Sequence, residues 1–262
     1  MLFAVDAGNT NIVLGVFDGP DRLLFTARVA TDPSMTGDQY AGIIANILDL
    51  YCIPRKGITD SIISTVVPAL TQSLPAALRL LFGTEPLVLG QGVKSGLRVK
   101  GLVPDAIGAD LVCGAVGALK KYPAPLIIFD FGTATTVSAI DRDGVFIGGT
   151  IIPGVMISLR ALSSAAALLK DISPDGRQLS PISLDTAECM RAGSILGAAS
   201  MMDGMIERFR EELGHDAFVV ATGGLSGIIV PHCRTKGVVR DDTLLLDGLY
   251  EIYALNKQEE IL

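Results

Sequence analysis

The opening residues fall into short, mostly apolar runs of strand length, separated by turn residues. Leu2-Phe3-Ala4-Val5-Asp6, Ile12 to Phe17, and Leu23 to Val29 predict strands over 2–6, 12–17 and 23–29. The turn signal Asp18-Gly19-Pro20 joins them into an antiparallel meander. The spacing then changes. Ile43, Ile44, Ile47, Leu48 and Tyr51 recur at helical spacing and predict a helix from about Thr36 to Tyr51. Ile62 to Val67 reads as a buried strand stopped by Pro68, Leu70 to Phe82 as a helix, and Pro86 to Leu89 as another strand.

A second series follows. Pro104 opens a helix expected over Asp105 to Tyr122, and strands are predicted at 126–131, 135–141 and 145–149. Pro153-Gly154 starts a helix to about Leu169, a loop rich in Pro, Ser, Asp and Gly covers 171–184, and a long helix covers about 185–213. Phe218 to Ala221 is a strand ending at Thr222-Gly223-Gly224. The closing helix runs from Thr243, capped by Asp242 or by Thr243 itself, to Asn256. The second series repeats the β-β-β-α-β-α plan of the first. The expected fold class is α/β, with duplicated lobes over 1–118 and 119–262 facing a cleft, and a final helix free to pack back on the first lobe.

With 262 residues, 49% of them hydrophobic, and mean hydropathy +0.48, there is ample core. No apolar run reaches the roughly 18–20 residues that a bilayer span needs. The N-terminus meets Asp6 with no basic segment before it, so neither a signal peptide nor a membrane partner is expected, and the chain reads as cytoplasmic. The formal charge of −7 carries no basic stripe longer than Lys120-Lys121, which argues against nucleic acid as a partner. Cys52, Cys113, Cys189 and Cys233 form no CxxC motif, and only His215 and His232 could supplement them. They read as free thiols, buried or half-buried, in a reducing compartment, with Cys233 beside His232 on a surface loop.

The chemistry lies in a repeat. Asp6-Ala7-Gly8-Asn9-Thr10-Asn11 follows one buried strand, and Asp130-Phe131-Gly132-Thr133-Ala134-Thr135 follows another 124 residues later (130 − 6). Each places a carboxylate and a glycine turn with small polar residues between two strands. Gly8 is expected to supply φ > 0 and close approach, and Asp6 to hold Mg²⁺ directly or through water. An ordinary hairpin explains one copy; two copies favour a polyphosphate and its cation, hence phosphoryl transfer. Ala221-Thr222-Gly223-Gly224-Leu225 adds a glycine turn at a helix start, marking Gly223 as a nucleotide contact. In Gly108-Ala109-Asp110, the aspartate could accept a proton from an alcohol or simply favour the helix N-terminus. No GxxxxGK[ST] run exists, and Gly90 to Gly96 fits a dinucleotide motif poorly.

These motifs, with Ser64-Thr65-Val66-Val67-Pro68 and Gly148-Gly149-Thr150-Ile151-Ile152-Pro153-Gly154, resemble type III pantothenate kinase, in order and nearly end to end. The resemblance implies an actin-like (ribonuclease H-like, ASKHA) duplicated fold and a homodimer. It also implies ATP-dependent phosphorylation of pantothenate, the first step of coenzyme A synthesis, with Mg²⁺ and a monovalent cation, K⁺ or NH₄⁺. It further implies residue roles. Asp6, Ala7, Gly8, Asn9, Thr10, Asn11, Ile12 and Val13 hold the ATP phosphates, and Thr133 contacts ATP. Asp110 is the proton acceptor, Gly108, Ala109, Asp110 and Thr186 touch pantothenate, and Asp130 binds the monovalent cation.

The departures from the family pattern cluster on the acceptor side. Gly101 stands where Tyr is usual, Val103 where Asn is usual, Leu111 where Arg is usual, and Ser183-Leu184-Asp185-Thr186 where Gly-Lys-Asn-Thr is usual. Leaving a substrate carboxylate without such a partner costs roughly 1.5–3 kcal/mol, about tenfold to a hundredfold in affinity. A kinase for another small alcohol and a non-catalytic nucleotide-binding paralogue are therefore the alternative readings.

Overall fold

The opening meander forms where the apolar runs predicted it, as β1 (Leu2–Ala7), β2 (Asn11–Phe17) and β3 (Leu23–Ala30). The structure, a computed structural model, describes all residues except 21, 91, 102–106, 167–168, 170–171, 176–178 and 260–262. The chain divides into two compact units: Met1–Lys120 with Leu244–Leu262, and Lys121–Thr243. The division therefore falls two residues later than the expected 118/119 boundary, and the closing helix belongs to the first unit.

In the first unit, α1 (Gly37–Leu50), β4 (Asp60–Thr65), α2 (Leu70–Phe82) and β5 (Leu87–Val88) follow the meander. The predicted start at Thr36 is the N-cap: Thr36 Oγ1 accepts from Gln39 N (3.4 Å), while Gln39 Oε1 accepts from Thr36 N (2.8 Å). β6 (Arg98–Val99) and α3 (Ala109–Lys121) come next. Val103 and the predicted helix start at Pro104 and Asp105 lie outside the described residues. The five-stranded sheet has the order β3-β2-β1-β4-β5, with β1 antiparallel to β2 and parallel to β4. Alternate residues of a strand face opposite sides. Phe3, Val5, Ile12 and Leu14 join Tyr40, Ile44, Leu74 and Leu78 of α1 and α2 in one core. The closing helix, numbered α7 (Leu244–Glu259) from its place in the chain, also packs against β1 and β4, burying Leu246, Leu249 and Ile252.

The second unit repeats this order. β7 (Leu126–Phe131), β8 (Ala134–Ile140) and β9 (Val145–Pro153) form its meander, and α4 (Val155–Ala165), α5 (Thr186–Leu213), β10 (Phe218–Thr222), α6 (Ser226–Ile229) and β11 (Val239–Arg240) follow. Its strands run β9-β8-β7-β10-β11, the same succession as β3-β2-β1-β4-β5. One strand differs from expectation: β9 continues four residues past 149, because Thr150, Ile151 and Ile152 stay paired with Val137, Thr136 and Thr135 of β8, and α4, which starts after Gly154 as predicted, ends at Ala165. Thr243 directly precedes α7, and Asp241 ties the turn before it, its Oδ1 accepting from Thr243 N and Oγ1 (3.1 Å each), while Asp242 pairs with Arg240 (2.7 Å). Among the described residues, no helix is long and apolar enough to cross a membrane.

Candidate active site

Asp6 is the penultimate residue of β1, nearly buried, and lies in register with Val13 on β2 and Ser64 on β4. The turn that follows is stitched tightly. Gly8 N donates to Asn11 O (3.0 Å), Thr31 N to Thr10 O (3.0 Å), and Thr31 Oγ1 to Gly8 O (2.7 Å). Asn9, Thr10 and Asn11 are exposed at its tip, whereas Ala7 and Ile12 point into the core. Any ligand contact from Ala7 or Ile12 therefore comes from backbone. Gly8 does not adopt the positive φ expected of it, so its value lies in the close turn alone.

Asp110 is the second residue of α3 and is half-buried, with Oδ1 accepting from Leu111 N (2.8 Å). Its second oxygen is Oδ2. One turn along the same helix, Cys113 is fully buried close to both Asp6 and Asp110. Burial, reinforced by these two carboxylates, pushes its thiol well above the ordinary range, so the group is neutral. The first unit thus brings Asp6, the Gly8 turn, Asp110 and Cys113 to one end of its sheet. Ser64 joins them through the β1–β4 register, and among the described residues its buried Oγ has no hydrogen-bond partner.

In the second unit, Asp130 on β7 lies in register with Thr222 on β10 and Thr136 on β8. Gly223, just past β10, has φ +88°, and a Cβ there would overlap Asp130 Oδ1 and come within 2.6 Å of Phe131 backbone. Ser226 Oγ donates to Gly223 O (2.8 Å), closing the turn at the start of α6. A Cβ at Gly154 would likewise overlap the Thr133 carbonyl, which explains the glycine at the end of the Gly148–Gly154 motif. Gly223 thus packs on Asp130, and Gly154 on Thr133, within this unit.

Thr186 belongs to the second unit, with Asp130, Thr133 and Gly223. It opens α5, is exposed, and lines a mostly apolar cavity of about 570 Å³ with Thr135, Ile152, Val155, Leu162 and Met190. The altered run before it has a local role: Asp185 Oδ1 caps α5 by accepting from Glu188 N (2.9 Å), and Ser183 Oγ accepts from Asp185 N (3.1 Å). Leu184 is fully exposed, Gly101 has φ +69°, and Leu111 is half-buried beside Asp110. The cysteines divide differently from expectation. Cys52 and Cys189 are exposed, and Cys233 is half-buried with its Sγ 3.4 Å from Met202 Sδ rather than on an open loop. Sequence reasoning quoted Ser64 without giving it a role and passed over Cys113. The i, i+3 spacing from Asp110 was the available signal for the latter.

Among the described residues, no cluster of three or more His, Cys, Asp or Glu side chains could hold a metal. Single carboxylates at Asp6 and Asp130 suit hard cations that take one or two protein oxygens and leave their other positions to water and phosphate. Comparison with known proteins agrees with the duplicated fold. A Campylobacter jejuni protein of the Baf family superposes with a TM-score of 0.59 at 15% identity, covering 98% of this chain and 99% of that one. The activator of the 2-hydroxyisocaproyl-CoA dehydratase from Clostridium difficile, with bound ADPNP, superposes at 0.53 with 13% identity, covering 99% and 96%. Both likenesses show the fold alone, a duplicated α/β architecture. In sequence, the type III pantothenate kinase of Geotalea uraniireducens is 39% identical over 258 residues, covering 98% of this chain and all of that protein. The profile of the type III pantothenate kinases matches residues 2–208, and with that the chain belongs to the type III pantothenate kinase family.

Proposed function

We propose that this protein transfers the γ-phosphoryl group of ATP to the primary hydroxyl of pantothenate, the first step of coenzyme A synthesis. The observation that carries the reading is the pairing of Asp6 with Asp110 around one buried site at the end of the first sheet, in a chain of this family. Asp110 Oδ2 accepts the hydroxyl proton as the oxygen attacks the γ-phosphorus and ADP leaves. Backbone N–H groups of the turn after Gly8, and of the turn after Asp130 with Gly223, would meet phosphate oxygens. Mg²⁺, held through water by Asp6, and K⁺ or NH₄⁺ at Asp130 would neutralise polyphosphate charge when bound.

Thr186 and the residues Gly108 to Asp110 serve the acceptor. With Leu111 and Leu184 in place of charged groups, the pantothenate carboxylate relies on neutral donors. The reading includes a cytoplasmic homodimer; exposed Ile151, Ile182 and Leu184 supply apolar surface for a second copy, and sedimentation velocity reads that state directly. The decisive test is pantothenate-dependent ADP release by wild type and Asp110→Asn. Loss of about 10²-fold or more in kcat is expected. Turnover within tenfold of wild type would remove Asp110 as the base.

A further inference from the structure

Helix α5 carries a charge where its pattern calls for an apolar residue. Ala192, Ile195, Ala199, Met202 and Ile206 form its buried stripe, and Arg191 stands at the edge of that stripe, 8% exposed. A buried cation is costly unless it is paired, and an apolar side chain of similar volume is often as stable in such a place. The pairing is therefore informative. Arg191 Nη1 donates to Glu188 Oε1 (2.5 Å), one turn back on α5. Its Nε donates to Ser173 O (3.4 Å) and faces Asp175 Oδ1 at 3.4 Å. One guanidinium thus spans from the helix to the segment 172–175, whose Ile172 packs on the core of the second unit. Both ends of that tie adjoin the cavity that Thr186 lines. Leu169, three residues before Ile172, forms part of its wall, as do Cys189 and Met190, directly before Arg191. Glu188 N in turn donates to the Asp185 carboxylate that caps α5 next to Thr186. Among the described residues, no charged side chain lines the cavity, and Arg191 itself stays off it.

We propose that Arg191 is a positioning residue for the acceptor: it clamps the 172–175 segment onto α5 and so fixes the wall of the cavity around Thr186. The inference rests on the reading of Thr186 as an acceptor contact. A guanidinium suits the task. Its planar fork of N–H donors serves a carboxylate on its own helix while also reaching a carbonyl and a second carboxylate on the segment. Arg191 neither touches the acceptor nor pairs with the acceptor's carboxylate. It acts through the segment it holds.

The test compares Arg191→Met, Arg191→Lys and Asp175→Asn with wild type for kcat, for KM of ATP and of pantothenate, and for Tm. Asp175→Asn removes the charge on the segment's side of the tie and leaves α5 intact, so it decides the matter even if Arg191→Met folds poorly. A purely structural role predicts changes in Tm with both KM values unmoved. Positioning predicts that KM for pantothenate rises about tenfold in Arg191→Met and about threefold or more in Asp175→Asn, since small displacements of a substrate-holding wall are felt strongly. In both variants kcat and KM for ATP should stay within about twofold, the signature of lost acceptor binding alone. Arg191→Lys keeps the charge but not the fork, and should recover part of the loss. A pantothenate KM within about twofold of wild type in Asp175→Asn overturns the inference, as does an equal rise in KM for ATP. Thr186→Ala in the same assay separates the two readings. If it leaves KM for pantothenate unchanged, the acceptor role of Thr186 has failed; if it raises that KM while Asp175→Asn does not, only the clamp has failed.

Discussion

Gly223→Ala tests whether the second unit's phosphate turn is built as described. Gly223 has φ +88°, and left-handed backbone costs an L-residue roughly 1–2 kcal/mol. The new methyl would also overlap Asp130 Oδ1 and stand 2.6 Å from Phe131 N and C, where backbone of a central strand has nowhere to go. Overpacking of this kind costs about 1–3 kcal/mol, against roughly 0.4–1 kcal/mol gained by stiffening the unfolded chain. The net destabilisation is about 2–4 kcal/mol, which for a chain of this size lowers Tm by roughly 5–15 °C. Differential scanning calorimetry reads this directly. Gly204→Ala is the contrast: it lies within α5 at negative φ with open space around its Cβ, so it should raise stability by about 0.5–1 kcal/mol. Because the clash falls on Asp130, Gly223→Ala should also weaken nucleotide binding about tenfold or more, as a misplaced site residue does. A Gly223→Ala Tm within 2 °C of wild type would refute the close approach between the turn and Asp130.

Two further measurements address the thiols and the acid limb. A thiol reagent should label Cys52 and Cys189 quickly in the folded protein, with Cys113 and Cys233 reacting only on unfolding. Burial, with Asp203 nearby, pushes the Cys233 thiol up to about 12, and four fast thiols would contradict this packing. Asp241 accepts from Tyr122 Oη (2.8 Å) and pairs with Lys121 Nζ (2.6 Å). Burial alone would raise its carboxyl, but these partners and Thr243 N hold it below the ordinary carboxylate value. A depressed carboxyl contributes stability that is present above its unfolded value, about 3.9, and lost as pH falls through its folded value. The urea midpoint should therefore drop below about pH 5, and Asp241→Asn should flatten that drop; an identical acid slope in the variant would count against the assignment.

Much of this protein was written into local pattern. The short apolar runs at 2–6, 12–17 and 23–29, repeated at 126–131 and 135–141 and separated by turn residues, determined both meanders, because runs of that length bounded by turns suit buried strands. Leu70 to Phe82 needed only its own periodicity, and Thr36 only its capping chemistry. The glycine–carboxylate turns at Asp6 and Asp130 were legible for the same reason: a tight turn constrains its own few residues.

What local pattern could not supply was anything set by residues distant in sequence. Gly148-Gly149 looked like the end of a strand, yet β9 continues, because β8 pairs with it through Pro153. Asp241 rather than Asp242 ties the start of α7, since Tyr122 and Lys121 arrive from 119 and 120 residues away (241 − 122 and 241 − 121). Ser64 stood in a sequence motif without a role, and Cys113 was one thiol among four. Parallel pairing puts Ser64 beside Asp6, and one helical turn puts Cys113 beside Asp110. The sequence determined which groups could bind phosphate and take a proton. Tertiary packing decided which neutral side chains stand next to them, because that adjacency depends on strand register and helix depth.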